Sequence, residues 1–144
     1  MLEAIGEYHI PEEHSDALDE RDYGDYTHHN KWEMEKLFGH EEFEKIRRDW
    51  DKPIPNGETL KMVYERAVPF FMEKILPAVA KGENVLVVAH GNSDRALLKY
   101  IENISDADIS GVEMPFGAIY IYELDADGKM IKKEVRQVES QAIS

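Results

Sequence analysis

A short turn in the second half of the chain has the residue types to bind a phosphoryl group. The stretch VLVVAHGN runs from five apolar side chains into His90, Gly91 and Asn92. A continuous aliphatic run is typical of a buried parallel strand, which we expect over residues 85–89, with a helix after the turn. Ligands of such sheets bind beyond the strand ends, where the next helix offers free N–H groups. His90 could donate to a phosphoryl oxygen there, or could simply bond a nearby carbonyl.

A second polar group lies in the stretch LDERDYG, which places Glu20, Arg21 and Tyr23 before a glycine. A carboxylate beside an anion site can act as a general acid or base when its pKa is raised. The alternative is an ordinary surface turn, and the stretch by itself favours that interpretation.

Paired arginines, Arg47 and Arg48, follow in the stretch IRRDWD. Their forked donors suit phosphate and carboxylate oxygens, although an arginine pair on a solvated helix face beside many glutamates is equally compatible with the pattern. Lys31 carries no information by itself. The adjacent His28 and His29 do not predict a metal site, because neighbouring residues rarely face one ion and no third ligand is suitably spaced.

The elements that would position these residues form an α/β pattern with a small mixed sheet. We expect a helical region over residues 32–50 broken at Gly39, a long helix over 58–81, and a helix over 93–103. Pro69 and Pro77 should kink or interrupt the long helix. The opening residues, MLEAIGEY, resemble the last turns of a helix. Two alternating stretches, GAIYIYEL and KMIKKEV, predict strands joined by the turn DADGK.

The composition excludes several classes of function. The chain has 144 residues, enough for one domain, and its 17 basic and 30 acidic residues give a formal net charge of -13. Such a charge disfavours nucleic acid and anionic membranes as partners. There is no cysteine, so disulfides and thiolate metal sites are excluded. No apolar run approaches a membrane span and the N-terminus lacks a secretory pattern, so a cytoplasmic protein is expected.

Five blocks of the sequence together resemble the cofactor-dependent phosphoglycerate mutases of the histidine phosphatase superfamily. They are ALDERDYGDYTHHNK, IRRDWDKPIPNGETL, ERAVPFF, VLVVAHGNSDRALLKY and MPFGAIYIYEL, in the family's order and spacing between Ala17 and Leu124. The resemblance implies an incomplete three-layer mutase-like fold. It also implies interconversion of 2- and 3-phosphoglycerate in glycolysis through a phosphohistidine, primed by 2,3-bisphosphoglycerate and without a metal.

The resemblance also implies roles for individual residues. His90 resembles the second active-site histidine, which contacts the transferring phosphoryl group, and Glu20 resembles the general acid/base. The residues that resemble ligands of the substrate phosphate and carboxylate, or that fall in the same binding segments, are Arg21, Tyr23, Lys31, Arg47, Arg48, Gly91 and Asn92. A leucine is usual in the family where this chain has Asp94, which adds negative charge near the phosphate turn.

One family motif does not occur in this sequence. The family's nucleophilic histidine stands in an Arg-His-Gly triplet after the first strand, and no such triplet is present here. We therefore expect residues 1–144 to be a single partial domain, the C-terminal part of a mutase that is inactive as an isolated chain. Alternatives are a non-catalytic homologue that binds phosphorylated metabolites or a partner protein, and a remnant of a phosphatase with another substrate.

The missing strand bears on assembly. In the family the first strand lies beside the strand that ends at the position of His90, so residues 85–89 should present an unpaired apolar edge. Unpaired edges bind other strands. We expect a homo-oligomer, with pairing to a separate N-terminal piece or rearrangement of the chain's own N-terminal segment as alternatives.

Overall fold

The computed structural model describes residue 6 and residues 9–137, and the fold is given for these. Helices dominate, and a two-stranded antiparallel hairpin follows them. The helices are α1 (Lys31–Phe38), α2 (His40–Arg48), α3 (Leu60–Phe70), α4 (Leu76–Ala80) and α5 (Gly91–Ile101), and the strands are β1 (Ala118–Leu124) and β2 (Met130–Gln137). The α/β class expected from the sequence is confirmed. The expected opening helix lies outside the described residues.

Local sequence signals set the beginnings of the first helices. Asn30 caps α1, because its side chain accepts from the Glu33 N–H while the Glu33 carboxylate accepts from the Asn30 N–H. Gly39, with φ of 82°, ends α1 and separates it from α2. Thr59 caps α3 by accepting from the Met62 N–H at 3.1 Å. The predicted break at Gly39 is therefore confirmed.

The two prolines of the long helical stretch do not interrupt it. Pro69 lies inside α3, Pro77 lies at the start of α4, and a π-helical turn, Phe71–Ile75, joins the two helices. Each proline lacks a backbone N–H donor, and the wider π-helical turn keeps the helix continuous between α3 and α4. The stretch ends at Gly82, which adopts a left-handed φ of 88°.

The core lies between α3 and α5. Apolar side chains of α3, the π turn, α5 and one 3₁₀ turn form one buried cluster of Leu60, Val63, Ala67, Phe71, Ile75, Ala96, Leu97 and Ile109. The long helical stretch supplies the first five of them, which recur every three or four residues and form one inward-facing apolar stripe. Packing of α5 against this stripe fixes the first turn of α5, where the predicted phosphate turn lies.

The expected strand over residues 85–89 is not formed. This stretch pairs with no strand among the described residues, and the only sheet there is the β1–β2 hairpin, so the expected mixed sheet is wrong. Leu86 and Val88 are 65% and 63% exposed, whereas Val87 packs against the core. An apolar run becomes a strand only when a neighbouring strand takes up its backbone groups, and the described residues offer none.

Candidate functional site

One cavity of about 790 Å³ collects polar side chains from four segments of the chain. The segments are residues 20–31, the end of α2, the first turn of α5 and residues 112–115. Of the nine site residues proposed from the sequence, eight line this cavity: Glu20, Arg21, Tyr23, Lys31, Arg47, Arg48, Gly91 and Asn92. His90 is the exception. It is exposed, immediately precedes α5, and is absent from the cavity lining.

The segment that carries Glu20 is held in place by Arg66 of α3. The Arg66 guanidinium donates to the carbonyls of Ala17 at 2.8 Å and Asp19 at 3.0 Å, and it also pairs with Glu58. The hydrogen bond from Arg66 lowers the pKa of Glu58, which stays ionised and accepts from the Asp22 N–H at 3.0 Å. The pair between Arg66 of α3 and Glu58, which lies just before α3, thus fixes an irregular segment that has no strand partner among the described residues.

Arg21 is a buried anchor at the back of the cavity. It is 2% exposed, and its guanidinium donates to the carbonyls of Glu58 at 2.6 Å and Ile46 at 3.1 Å. Its guanidinium carbon also lies 5.2 Å from the centre of the Tyr23 ring. Burial lowers the pKa of Arg21. These contacts join the Glu20 segment to α2 and hold Tyr23, whereas the buried Nη2 of Arg21 has no hydrogen-bond partner among the described residues.

A second buried arginine, Arg95, connects the remaining segments and was not identified from the sequence. It donates to the carbonyl of Ile109 at 2.7 Å, the carbonyl of Arg48 at 3.2 Å, and Oδ1 of Asn92 at 3.3 Å. Asn92 in turn donates from Nδ2 to the hydroxyl of Tyr23 at 3.0 Å. The sequence offered one signal for Arg95. An arginine early in a helix that packs on the core must either reach the site or bury its charge without a partner.

Arg47 and Arg48 reach the cavity but are engaged by carboxylates. Arg47 Nη1 lies 3.1 Å from Glu44 Oε1, and Arg48 Nη1 lies 2.8 Å from Glu113 Oε1. Arg48 Nε is also 2.6 Å from Glu44 Oε2, a close ion pair whose angle does not make a hydrogen bond. Both interpretations of the arginine pair therefore apply: the two side chains line the cavity, and they are paired with glutamates that an incoming anion would have to displace.

Lys31 and the start of α5 complete the cationic character of the cavity. Lys31 is exposed at the first position of α1, where its ammonium group lines the opening. Gly91 begins α5 and has no neighbouring atom within 4 Å of a built Cβ, so the backbone there is open to a ligand. Free N–H groups of this first turn, together with the arginines and Lys31, suit an anion with separate carboxylate and phosphate groups.

Two carboxyl groups lie on the other side of the α5 start. Glu20 lines the cavity and accepts from the Arg21 N–H at 2.7 Å. Asp94 is half-buried in the first turn of α5. Burial, followed by the charge of Glu20, raises the pKa of Asp94 to about 6, and His90 lowers it only in part. Among residues 6 and 9–137, no group of three or more histidine, aspartate and glutamate side chains is arranged to hold a metal ion.

Comparison with known proteins places this geometry in a family. Residues 2–136 match the histidine phosphatase superfamily (branch 1). A 2,3-bisphosphoglycerate-dependent phosphoglycerate mutase of Parvibaculum lavamentivorans is 42% identical over 135 residues, which are 94% of this chain and 64% of that protein. The enzyme of the same name in Methanosarcina mazei is 44% identical over 91% of this chain and 54% of its own length.

A eukaryotic relative agrees with these. The phosphoglycerate mutase of Schizosaccharomyces pombe is 41% identical over 135 residues, again 94% of this chain and 64% of the relative. The chain therefore spans between about half and just under two thirds of the length of these three curated relatives. No helix in the described part of the chain is both long and apolar enough to cross a bilayer.

Proposed function

This chain belongs to the histidine phosphatase superfamily, and from that membership we propose that it is the substrate-anion-binding part of a phosphoglycerate mutase. The observation that carries the proposal is the single cavity lined by eight of the nine residues expected to bind or process the substrate. The reaction of the whole enzyme would be the interconversion of 2- and 3-phosphoglycerate, a cytoplasmic step of glycolysis.

Each part of the cavity has a distinct role in this proposal. Arg47, Arg48 and Lys31 bind the carboxylate and phosphate of the substrate, and the Gly91–Asn92 turn binds phosphate through backbone N–H groups. Glu20 exchanges a proton with the substrate hydroxyl. The same donors fit 2,3-bisphosphoglycerate, the primer named in the bacterial and archaeal relatives, because it carries the same types of anionic group.

Transfer of the phosphoryl group needs a nucleophile in addition to these ligands. No Arg-His-Gly triplet occurs in this sequence, and His90 lies outside the cavity lining. We therefore propose that the isolated chain binds phosphorylated anions without forming a phosphohistidine. With only part of the ligands present and the arginines already paired, binding is weak.

Two measurements test this function. The first is incubation with labelled 2,3-bisphosphoglycerate and assay of acid-labile phosphate, which should find none on the chain. The second is calorimetric titration with 3-phosphoglycerate of the parent and of an Arg47→Ala, Arg48→Ala double variant. A matched control, Lys132→Ala with Arg136→Ala, removes two exposed cations from β2, outside the cavity lining.

The outcomes separate the proposal from its alternatives. Loss of binding in the Arg47→Ala, Arg48→Ala variant, with the control unchanged, supports the cavity as the anion site. Equal binding by all three proteins would show that these arginines do not bind the anion. Robust labelling or mutase turnover would contradict the absence of phosphoryl transfer. Binding of other phosphorylated metabolites in preference to phosphoglycerate would favour a non-catalytic homologue or a phosphatase remnant, the two alternative functions.

We also propose a homo-oligomer as the state of the isolated chain, formed through residues 85–89. Five uncharged apolar residues there have no backbone partner among the described residues, and two of them are more than 60% exposed. An identical stretch of a second copy supplies matching N–H and carbonyl groups. A separate N-terminal piece is the alternative occupant.

A further inference from the structure

Asp94 lies in the first turn of α5, between Asn92 and Arg95, which line the anion cavity, although Asp94 itself does not line it. The hydroxyl of Ser93 donates to the carbonyl of Asp19, and Asn92 donates to Tyr23, so the first turn of α5 is fastened alongside the Glu20 segment. The two carboxyl groups, of Asp94 and Glu20, are consequently neighbours on two adjacent segments.

The Asp94 carboxyl is unusual for this environment, because it is half-buried and has no hydrogen bond or ion pair within the described residues. The charged groups whose fields reach it are Glu20, from the segment packed against α5, and His90, from the turn before α5. The buried arginines Arg21 and Arg95 donate to backbone carbonyls and to Asn92, and neither donates to Asp94. An anion in the cavity would therefore add a third negative group to an under-compensated pair.

We propose that Asp94 couples anion binding in this cavity to protonation: a dianion binds well when Asp94 is neutral and poorly when Asp94 is ionised. The proton comes from solvent as the anion enters and returns to solvent when the anion leaves. Asp94 does not line the cavity, so it acts through its charge and not by contact. The raised pKa of this carboxyl, about 6, places the change in a range that a protein can experience without unfolding. The inference rests on the anion cavity of the proposed function.

The experiment uses sulfate as the probe, because sulfate keeps both negative charges over the whole range in which phosphate would itself titrate. Calorimetry at constant ionic strength gives its affinity at about pH 5 and about pH 7.5 for the parent, for Asp94→Asn, and for Asp94→Leu, the residue usual in the family. Glu65→Gln is the matched control, since it removes one exposed carboxylate from α3 outside the cavity lining. His90 is present in all four proteins.

We expect Asp94→Asn to bind sulfate roughly tenfold more tightly than the parent at the higher pH and equally at the lower pH, as expected for removal of one charge near a dianion. Glu65→Gln should match the parent at both. Independently of any variant folding, the carboxyl carbon resonance of Asp94 in the parent should titrate near 6 and shift to higher pH with saturating sulfate.

Each contrary result has a distinct meaning. Identical pH profiles for the parent and both Asp94 variants, or a sulfate-insensitive Asp94 resonance, would overturn the coupling while leaving the cavity in place, provided that Arg47→Ala with Arg48→Ala still loses sulfate. Absence of sulfate binding by the parent at both pH values would overturn the coupling and the anion-binding function together.

Discussion

The side-chain amide of Asn92 donates a hydrogen bond to the hydroxyl of Tyr23 at 3.0 Å, across 69 residues of sequence. This contact joins the first turn of α5 to the irregular segment that carries Glu20. Arg95 supports it from behind, because its guanidinium bonds the oxygen of the same amide and fixes which way the amide faces. Asn92 and Tyr23, which both line the cavity, are thus oriented by Arg95. Its guanidinium bonds the Asn92 amide and the carbonyls of Arg48 and Ile109.

We predict that Arg95 contributes strongly to stability. Arg95→Met keeps most of the side-chain volume but removes the guanidinium that bonds the carbonyls of Arg48 and Ile109, the second of which then keeps only the Val112 N–H. The loss should lower the free energy of unfolding by about 2 to 3 kcal/mol. Arg95→Lys should recover part of the loss, since one ammonium can reach only some of these acceptors. Urea denaturation measures both. Arg136→Met, at an exposed arginine of β2, should change stability little, and a loss there equal to that of Arg95→Met would contradict the assignment.

The outcome at Arg95 shows what the sequence could and could not predict. Helix periodicity predicted the helices well, because it depends on neighbours within a few residues, as does the capping box that the structure shows at Asn30. The resemblance of five blocks singled out eight residues that share a cavity. Arg95 was missed because the carbonyls that accept from it are brought close only by tertiary packing; its position on a core-packed helix indicated burial but not these partners.

The prediction of a strand over residues 85–89 was wrong for a related reason, because it too depended on a tertiary partner. Its composition is that of a buried strand, and Val87 does turn towards the core. Strand formation, however, requires a partner backbone, which composition cannot supply. Leu86 and Val88 are consequently exposed, and the stretch keeps the residue types of a sheet interior without the sheet.

We predict that Glu113 competes with anionic ligands for Arg48. The carboxylate of Glu113 is 70% exposed and lies 2.8 Å from Arg48 Nη1 at the cavity, so Glu113→Gln should free this guanidinium at little cost to folding. The affinity for 3-phosphoglycerate should rise roughly threefold, in keeping with the modest strength of exposed ion pairs. Calorimetry checks this, with Glu65→Gln as the control for the change in net charge. Unchanged or weaker binding would show that Glu113 does not restrain Arg48.

We predict that Asp94 lowers stability at neutral pH. Because its pKa is raised from 3.8 to about 6 in the fold, the unfolded chain loses this proton first as the pH rises. Between about pH 4 and 6 the folded state holds more protons, so this group's contribution to the free energy of unfolding falls with increasing pH. Asp94→Asn should therefore be more stable than the parent by about 1 to 2 kcal/mol at pH 7, after allowance for partial exposure, and no more stable at pH 4.

Thermal unfolding across this pH range measures the effect. The difference between the parent and Asp94→Asn isolates one group, since carboxylates such as Glu58, with a lowered pKa, change stability in the opposite direction in both proteins. A constant difference between the two proteins at all pH values would show that Asp94 does not titrate differently in the folded state.

The last prediction concerns residues 85–89 as an interface between copies of the chain. The structure indicates which substitutions test it: Val87 packs on the core, so Val87→Lys would damage folding, whereas Leu86 and Val88 face outwards. A Leu86→Lys, Val88→Lys variant should place like charges at a two-fold strand pair and convert a dimer into a monomer. Ile131→Lys is the matched control, because Ile131 is 63% exposed on β2, close to the 65% of Leu86.

Light scattering over a concentration series follows the assembly of all three proteins. We expect a dimer for the parent and for Ile131→Lys, and a monomer for the double variant. Dissociation by Ile131→Lys and not by the double variant would assign the interface to the hairpin instead. A parent that stays monomeric at the highest concentration, with the amides of residues 85–89 protected from hydrogen exchange, would contradict the prediction outright, because protection without a second copy means that the chain's own residues already bond that edge.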